Sequence, residues 1–197
     1  MALLESEGKP LGAIILAGGD SRRMRENKAF LLVHGKALIQ HLLDQMDGHF
    51  GEILISTSRP GEFNHLGYPV ILDDRPGEGP MAAICSALKA ARFEKNFVIA
   101  CDIPDINLEF IGKLVESAAS SEIVVPVSPD NKYEPLFAVY SKSIVPLIQD
   151  LLDKGERSLI PLFKICRTQF VSFGPNAWFI NLNTPNCLLY TSDAADE

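Results

Sequence analysis

The chain has 197 residues (21.6 kDa), 47% of them hydrophobic and 22% charged, the size and balance of one globular domain rather than a collagen, a coiled coil or a disordered chain. A net charge of -7 and a pI near 5.1 leave no broad cationic surface with which to displace counterions from a nucleic acid. No apolar run reaches the ~20 residues needed to span a bilayer, and the start, Met1-Ala-Leu-Leu-Glu-Ser-Glu, lacks the basic region of an export signal, so a cytoplasmic protein with neither nucleic-acid nor membrane partners is expected.

Apolar stretches of strand length alternate with helical periodicity along the chain. Leu11 to Ala17 reads as a buried strand ending in Gly18 and Gly19, and Lys36 to Met46 as a helix with Leu38, Ile39, Leu42, Leu43 and Met46 on one face. Glu52 to Ser56 and Pro69 to Leu72 read as strands, Met81 to Arg92 as a helix opened by Pro80, and Asn96 to Cys101 as another strand. A helix from Leu108 to Ala119, strands from Glu122 to Val127 and from Leu136 to Tyr140, and a helix from about Ser143 to Lys154 follow. The last third is less regular. This alternation predicts an α/β fold, a single-domain, Rossmann-like, mostly parallel sheet with helices on both faces, whose ligands lie beyond the carboxyl ends of the strands. Residues 1–186 form the expected domain, and residues 187–197 read as a disordered or non-native tail.

Chemistry concentrates at those strand ends. The glycine pair is followed by Arg22, Arg23, Arg25 and Lys28, a local basic loop in an acidic protein. Glycines allow backbone N–H groups to approach phosphate, and Arg and Lys then supply fork-shaped and point-like positive charge. The alternative is a solvated basic loop. Asp102, in Cys101-Asp-Ile-Pro-Asp105, ends a buried strand, where a carboxylate needs a cation. Mg²⁺ suits it, since one or two carboxylates plus substrate phosphates make up such a site; the alternative is a capping role for the following turn. Asp73 and Asp74 end another strand, and Gly77, Gly79 and Pro80 precede a helix whose N-terminus would suit backbone contact with a ligand. The four cysteines and four histidines form no metal-binding spacing.

In order and spacing, Leu16-Ala-Gly-Gly-x-Ser-x-Arg-Met-x-x-x-Lys28, Gly79-Pro80 and Cys101-Asp102-x-Pro104 resemble the nucleotidyltransferases of the nucleotide-diphospho-sugar transferase type. They are most similar to the molybdenum cofactor guanylyltransferases (MobA-like). Glu134-Pro-Leu-Phe-Ala-Val-Tyr140 and Asn181-Leu-Asn183-Thr-Pro185 extend the likeness, which covers residues 11 to about 186. It implies a Mg²⁺-dependent enzyme that joins GMP from GTP to molybdenum-carrying molybdopterin, releasing pyrophosphate. Carried over by position, Leu16, Ala17, Gly18 and Gly19 would frame the nucleotide and Arg23 and Lys28 would hold its triphosphate. Asp74 would assist nucleotide binding, Gly79 and Pro80 would border the base, Asp102 would bind Mg²⁺, and Asn181 and Asn183 would face the pterin. The resemblance implies a monomer whose partners are GTP, molybdopterin, and molybdoenzymes or their chaperones.

Three positions depart from the family's pattern. Arg25 stands where a glycine is usual, Asn27 where an aspartate is usual, and Ala83 where many members have glycine. These departures leave open a catalytically weak nucleotide-binding protein that delivers cofactor, and because backbone contacts around Gly79 and Pro80 largely decide base choice, a sister transferase that uses CTP, for a molybdenum cytosine dinucleotide cofactor or another small phosphorylated acceptor, stays open as well.

Overall fold

The computed structural model describes residues 4–6, 9–18 and 27–174. Short strands β1 (Glu5–Ser6) and β2 (Lys9–Pro10) pair as a hairpin ahead of β3 (Gly12–Leu16). A second hairpin joins β4 (Leu32–Val33) to β5 (Lys36–Ala37) and leads into α1 (Leu38–Met46). The chain continues through β6 (Glu52–Thr57), β7 (Val70–Leu72), α2 (Pro80–Ala90), β8 (Lys95–Ala100) and α3 (Leu108–Ser117). It then forms β9 (Ile123–Val127), β10 (Phe137–Ser141), α4 (Val145–Asp153), α5 (Ile160–Ile165) and β11 (Thr168–Ser172).

The central sheet has seven strands in the order β11-β9-β10-β8-β3-β6-β7. All run parallel except β10, which lies antiparallel between β8 and β9. Side chains alternate across it, as strand geometry requires. Ala13 and Ile15 enter one core with Ile39, Leu42 and Met46 of α1 and Phe110, Ile111 and Leu114 of α3. Ile14 and Leu16 enter the opposite core with Met81, Ile84 and Leu88 of α2, Ile148 of α4 and Leu162 of α5. The expected mostly parallel sheet with helices on both faces is therefore present. Among the described residues no helix is long and apolar enough to cross a membrane.

Two expectations need correction. The helix anticipated from Lys36 begins at Leu38, because His34 (φ 49°) and Gly35 (φ 76°) form a left-handed two-residue turn that folds Lys36 and Ala37 back onto Val33 and Leu32. The irregular last third contains α5 and β11, whose register on β9 runs from Thr168 opposite Ile123 to Ser172 opposite Val127. The antiparallel β10 is the one exception within the expected mostly parallel sheet. Residues 187–197 lie outside the described residues.

Chain direction creates a crevice at the middle of the sheet. From β3 the chain adds β6 and β7 on one side, then crosses to place β8 on the other. Such a switch in strand order leaves a crevice beyond the carboxyl ends of the two strands that part there. Here those ends are Leu16 and Ala100, which lie opposite one another in the β3–β8 register.

Candidate active site

The floor of the crevice is main chain. Beyond β3, the Ala17 N–H donates to Ser56 O at 2.8 Å and the Ser58 hydroxyl donates to Gly18 O at 3.4 Å. Gly18 is required for space: a Cβ on it would lie 2.9 Å from Ser58 N and 3.2 Å from Thr57 Cα. Beyond β8, the Cys101 N–H donates to Leu16 O at 3.1 Å, which ties the Cys101-Asp102 turn to the Leu16-Ala17 turn. The Cys101 thiol is buried, and burial followed by the nearby Asp102 charge pushes its pKa up to about 12. It is held as a neutral packing group, the opposite of an activated nucleophile.

Lys28 and Asp102 meet over this floor. Lys28 opens a short 3-10 turn (Lys28–Phe30), and its Nζ is 3.4 Å from Asp102 Oδ2, with both side chains 22% exposed. Two residues that are 74 apart in sequence are thus brought together at the strand-order switch. The turn after Asp102 is held from α1: Gln45 Nε2 donates to Pro104 O at 2.8 Å, and the Ile106 N–H donates to Gln45 Oε1 at 3.1 Å. The cap of α3 is Asn107, which accepts from the Phe110 N–H at 2.9 Å, so that helix start is satisfied without Asp102. No cluster of three or more His, Cys, Asp or Glu able to hold a metal occurs among the described residues. One partly exposed carboxylate fits a Mg²⁺ ion whose other ligands are phosphate oxygens and water.

The opposite wall is the segment from β7 to α2. Asp73 prolongs the sheet, its N–H donating to Thr57 O at 3.0 Å and its Oδ1 accepting from the Ser56 hydroxyl at 2.9 Å. Since Ser56 lies opposite Leu16 in register, Asp73 borders the crevice. Burial raises its pKa above the ordinary 3.8, and neighbouring Asp74 adds to the rise while the Ser56 hydrogen bond opposes it. Asp74, the residue expected to assist nucleotide binding, turns toward α2: its N–H donates to Ser86 Oγ at 2.9 Å and its carboxylate accepts from Lys89 Nζ at 2.7 Å. The pairing of β6 with β7 thus separates the two adjacent acids, Asp73 carrying the ladder bond and Asp74 facing α2.

Gly79 caps α2 with φ 86° and ψ -176°, a backbone conformation nearly confined to glycine. Its carbonyl accepts from the N–H groups of Ala82 and Ala83 at 3.2 and 3.4 Å, and Pro80 occupies the first helical turn. Ala83 is buried and its carbonyl accepts from Ser56 Oγ at 3.4 Å. Glu78 ties this loop to the segment after α4: its Oε1 lies 3.2 Å from Arg157 Nη2, and its Oε2 lies 3.7 Å from Arg75 Nη1. Arg75 also pairs with Asp153, and Arg157 Nη1 donates to Leu152 O and Glu156 O. Arg157 therefore braces a loop and a helix end.

Leu16, Ala17, Gly18, Lys28, Gly79, Pro80 and Asp102 are accordingly gathered at one edge of the sheet, with Asp74 on its flank. Gly19, Arg23, Asn181 and Asn183 lie outside the described residues.

Comparison with known proteins gives the same picture from another direction. The MobA-like NTP transferase domain matches residues 13–167. A probable molybdenum cofactor guanylyltransferase of Peptoclostridium acidaminophilum is 36% identical over 98% of this chain and 94% of its own. A molybdenum cofactor guanylyltransferase of Syntrophotalea carbinolica is 34% identical over 87% and 86%, respectively. The crystal structure of molybdopterin-guanine dinucleotide biosynthesis protein A from Archaeoglobus fulgidus superposes with a TM-score of 0.76 at 22% identity, covering 92% of this chain and 96% of that one. A 2-C-methyl-D-erythritol 4-phosphate cytidylyltransferase from Thermus thermophilus shares the fold at a TM-score of 0.67 and 16% identity, covering 90% and 95%. With a domain match that takes in both crevice-forming strands and relatives this similar over most of the chain, the protein belongs to the MobA-like NTP transferase family.

Proposed function

We propose that the protein is a molybdenum cofactor guanylyltransferase, which joins GMP from GTP to the terminal phosphate of molybdopterin carrying molybdenum. The observation that carries this reading is the Lys28–Asp102 pair at 3.4 Å over the Leu16–Gly18 turn. It puts a cation and a carboxylate where a strand-order switch in an open α/β sheet receives its ligand. The names of the relatives support the choice of substrates.

In the reaction, an oxygen of the pterin phosphate attacks the α-phosphorus of GTP. A new P–O–P bridge forms, the bond to the β-phosphate breaks, and pyrophosphate leaves. The nucleophile is already ionised, so the obstacle is repulsion between anions and the requirement for in-line placement. Lys28 and Arg23 answer the repulsion by holding the triphosphate, and the Leu16–Gly19 turn frames the nucleotide with main chain. Gly79 and Pro80 border the base, with Asp73 on the strand side and Asp74 behind it. Asn181 and Asn183 face the pterin. Asp102 would hold Mg²⁺, which supplies charge neutralisation on the phosphates when bound. The same reading makes the enzyme a cytoplasmic monomer that passes product to molybdoenzymes or their chaperones.

Calorimetric titration with GTP, CTP and ATP, each with and without Mg²⁺, tests it. Selective Mg-GTP binding is expected. Lys28→Ala should weaken that binding by about tenfold or more, the value of a charge-assisted contact, and Asp102→Ala should abolish Mg²⁺-dependent pyrophosphate release while the fold is kept. Preference for CTP would move the assignment to a cytidylyl transferase, and nucleotide binding without turnover would leave a delivery protein.

A further inference from the structure

The position of the Lys28 ammonium depends on where its short turn begins, and Asn27 begins it. Asn27 is only 8% exposed, with extended backbone (φ -70°, ψ 121°). Its Oδ1 accepts from the Ala29 N–H at 3.1 Å, and its Nδ2 donates to Glu62 Oε2 at 2.9 Å. One amide thus caps the turn and grips a carboxylate from the segment between β6 and β7. Only this orientation of the amide satisfies both partners, since a backbone N–H needs an acceptor and a carboxylate needs a donor.

Glu62 is itself held, with Oε1 3.4 Å from Arg59 Nη1 and a side chain 18% exposed. A second attachment lies one residue along: Phe30, at the end of the Lys28 turn, stacks on buried Phe63 with ring centroids 5.4 Å apart. The turn is therefore fastened to the 59–63 segment at both ends. On one side a polar bond acts at Asn27, and on the other an aromatic contact acts at Phe30, with Lys28 between them.

We propose that Asn27 is a positioning residue for Lys28 and that Glu62 is its obligatory partner. The pair fixes the direction from which the ammonium meets the phosphates, and neither residue touches substrate. This inference rests on the reading of Lys28 as a phosphate-holding group.

Asn27→Asp isolates the part that matters. The carboxylate still accepts from the Ala29 N–H, so the cap survives, but it has no proton for Glu62 and faces a second carboxylate. Mg-GTP binding should weaken about tenfold, in line with loss of one partly buried charge-assisted bond, with KM for GTP rising more than kcat falls. Adding Glu62→Gln restores a donor–acceptor pair with the roles reversed and leaves net charge as in the parent; binding should return to within about threefold. Glu62→Ala, which keeps Asn27 and its cap, should also weaken binding, although removing a negative charge near an anion site would strengthen it on electrostatic grounds alone. All variants are compared with Lys28→Ala by calorimetry and by thermal melting.

Parent-like binding in Asn27→Asp or in Glu62→Ala overturns the proposal, as does failure of Glu62→Gln to rescue. If Lys28→Ala binds Mg-GTP as the parent does, the phosphate reading of Lys28 falls and the proposal falls with it. If Lys28→Ala is weakened and the Asn27 and Glu62 variants are not, only the positioning role is lost.

Discussion

Replacing Gly18 by alanine would press a methyl group against main chain. The added Cβ lies 2.9 Å from Ser58 N, 3.2 Å from Thr57 Cα and 3.4 Å from Thr57 C, whereas unstrained contacts fall near 3.5 to 4.0 Å, so one segment must retreat by roughly half an ångström. Neither yields easily. The Ala17 N–H is bonded to Ser56 O at 2.8 Å, and Thr57 is fully buried with its carbonyl engaged by the Asp73 N–H. Overpacking of this kind costs about 1 to 3 kcal/mol. Gly112, inside α3 with open space around its would-be Cβ, is the control, and alanine there should gain about 0.5 to 1 kcal/mol from helix propensity. Urea unfolding of both variants, read beside Mg-GTP titration, should show Gly18→Ala losing stability and affinity while Gly112→Ala gains stability and binds as the parent does. A Gly18→Ala variant with parent-like stability and nucleotide affinity would refute the claim that the turn needs glycine for space.

Gly79→Ala acts through conformation instead, because no atom crowds the position. Alanine at φ 86°, ψ -176° costs about 1 to 3 kcal/mol, and its relief by a peptide rotation would release the bonds from Ala82 and Ala83; lower stability and weaker GTP binding are expected together in the same two assays. Asp73 makes stability depend on pH. Its folded-state pKa is raised above 3.8, chiefly by burial, so ionisation favours the unfolded chain and the penalty is relieved as pH falls through the folded value toward the unfolded one. Asp73→Asn, which can still accept from Ser56, should be more stable than the parent at pH 7, with the advantage shrinking on acidification toward pH 4; an advantage that grows as pH falls would show the opposite sign.

Much of this architecture was legible because burial on both faces leaves continuous apolar runs. Leu11 to Ala17 and Asn96 to Cys101 could hardly be read otherwise, and the strand-end positions of Lys28, Gly79 and Asp102 marked one edge of the sheet. What escaped depended on pairing across distance. The β11 strand, Thr-Gln-Phe-Val-Ser, is an edge strand with no fully buried residue, so it lacks both an apolar run and clean alternation. The reversed β10 is as apolar and buried as β8 and β9 on either side of it, and only its register on them reveals direction. Asn27 was visible as a departure from the family's aspartate, but its partner Glu62 comes 35 residues later, in a segment with no motif to mark it. Arg157 has no motif to mark it either, and its bond to Leu152 O and its pairing with Glu78 emerge only from the fold.

The Glu78–Arg157 and Arg75–Asp153 contacts also determine how this protein can be recombined. The segment proposed to border the base belongs to the β7–α2 connection, yet its braces come from residues 153–157 at the end of α4. A chimaera with a crossover between α2 and α4 would therefore separate a loop from its counter-charges. On the proposed reading, transplanting base preference from a relative means moving both segments as a unit, although β8, α3, β9 and β10 lie between them in the chain.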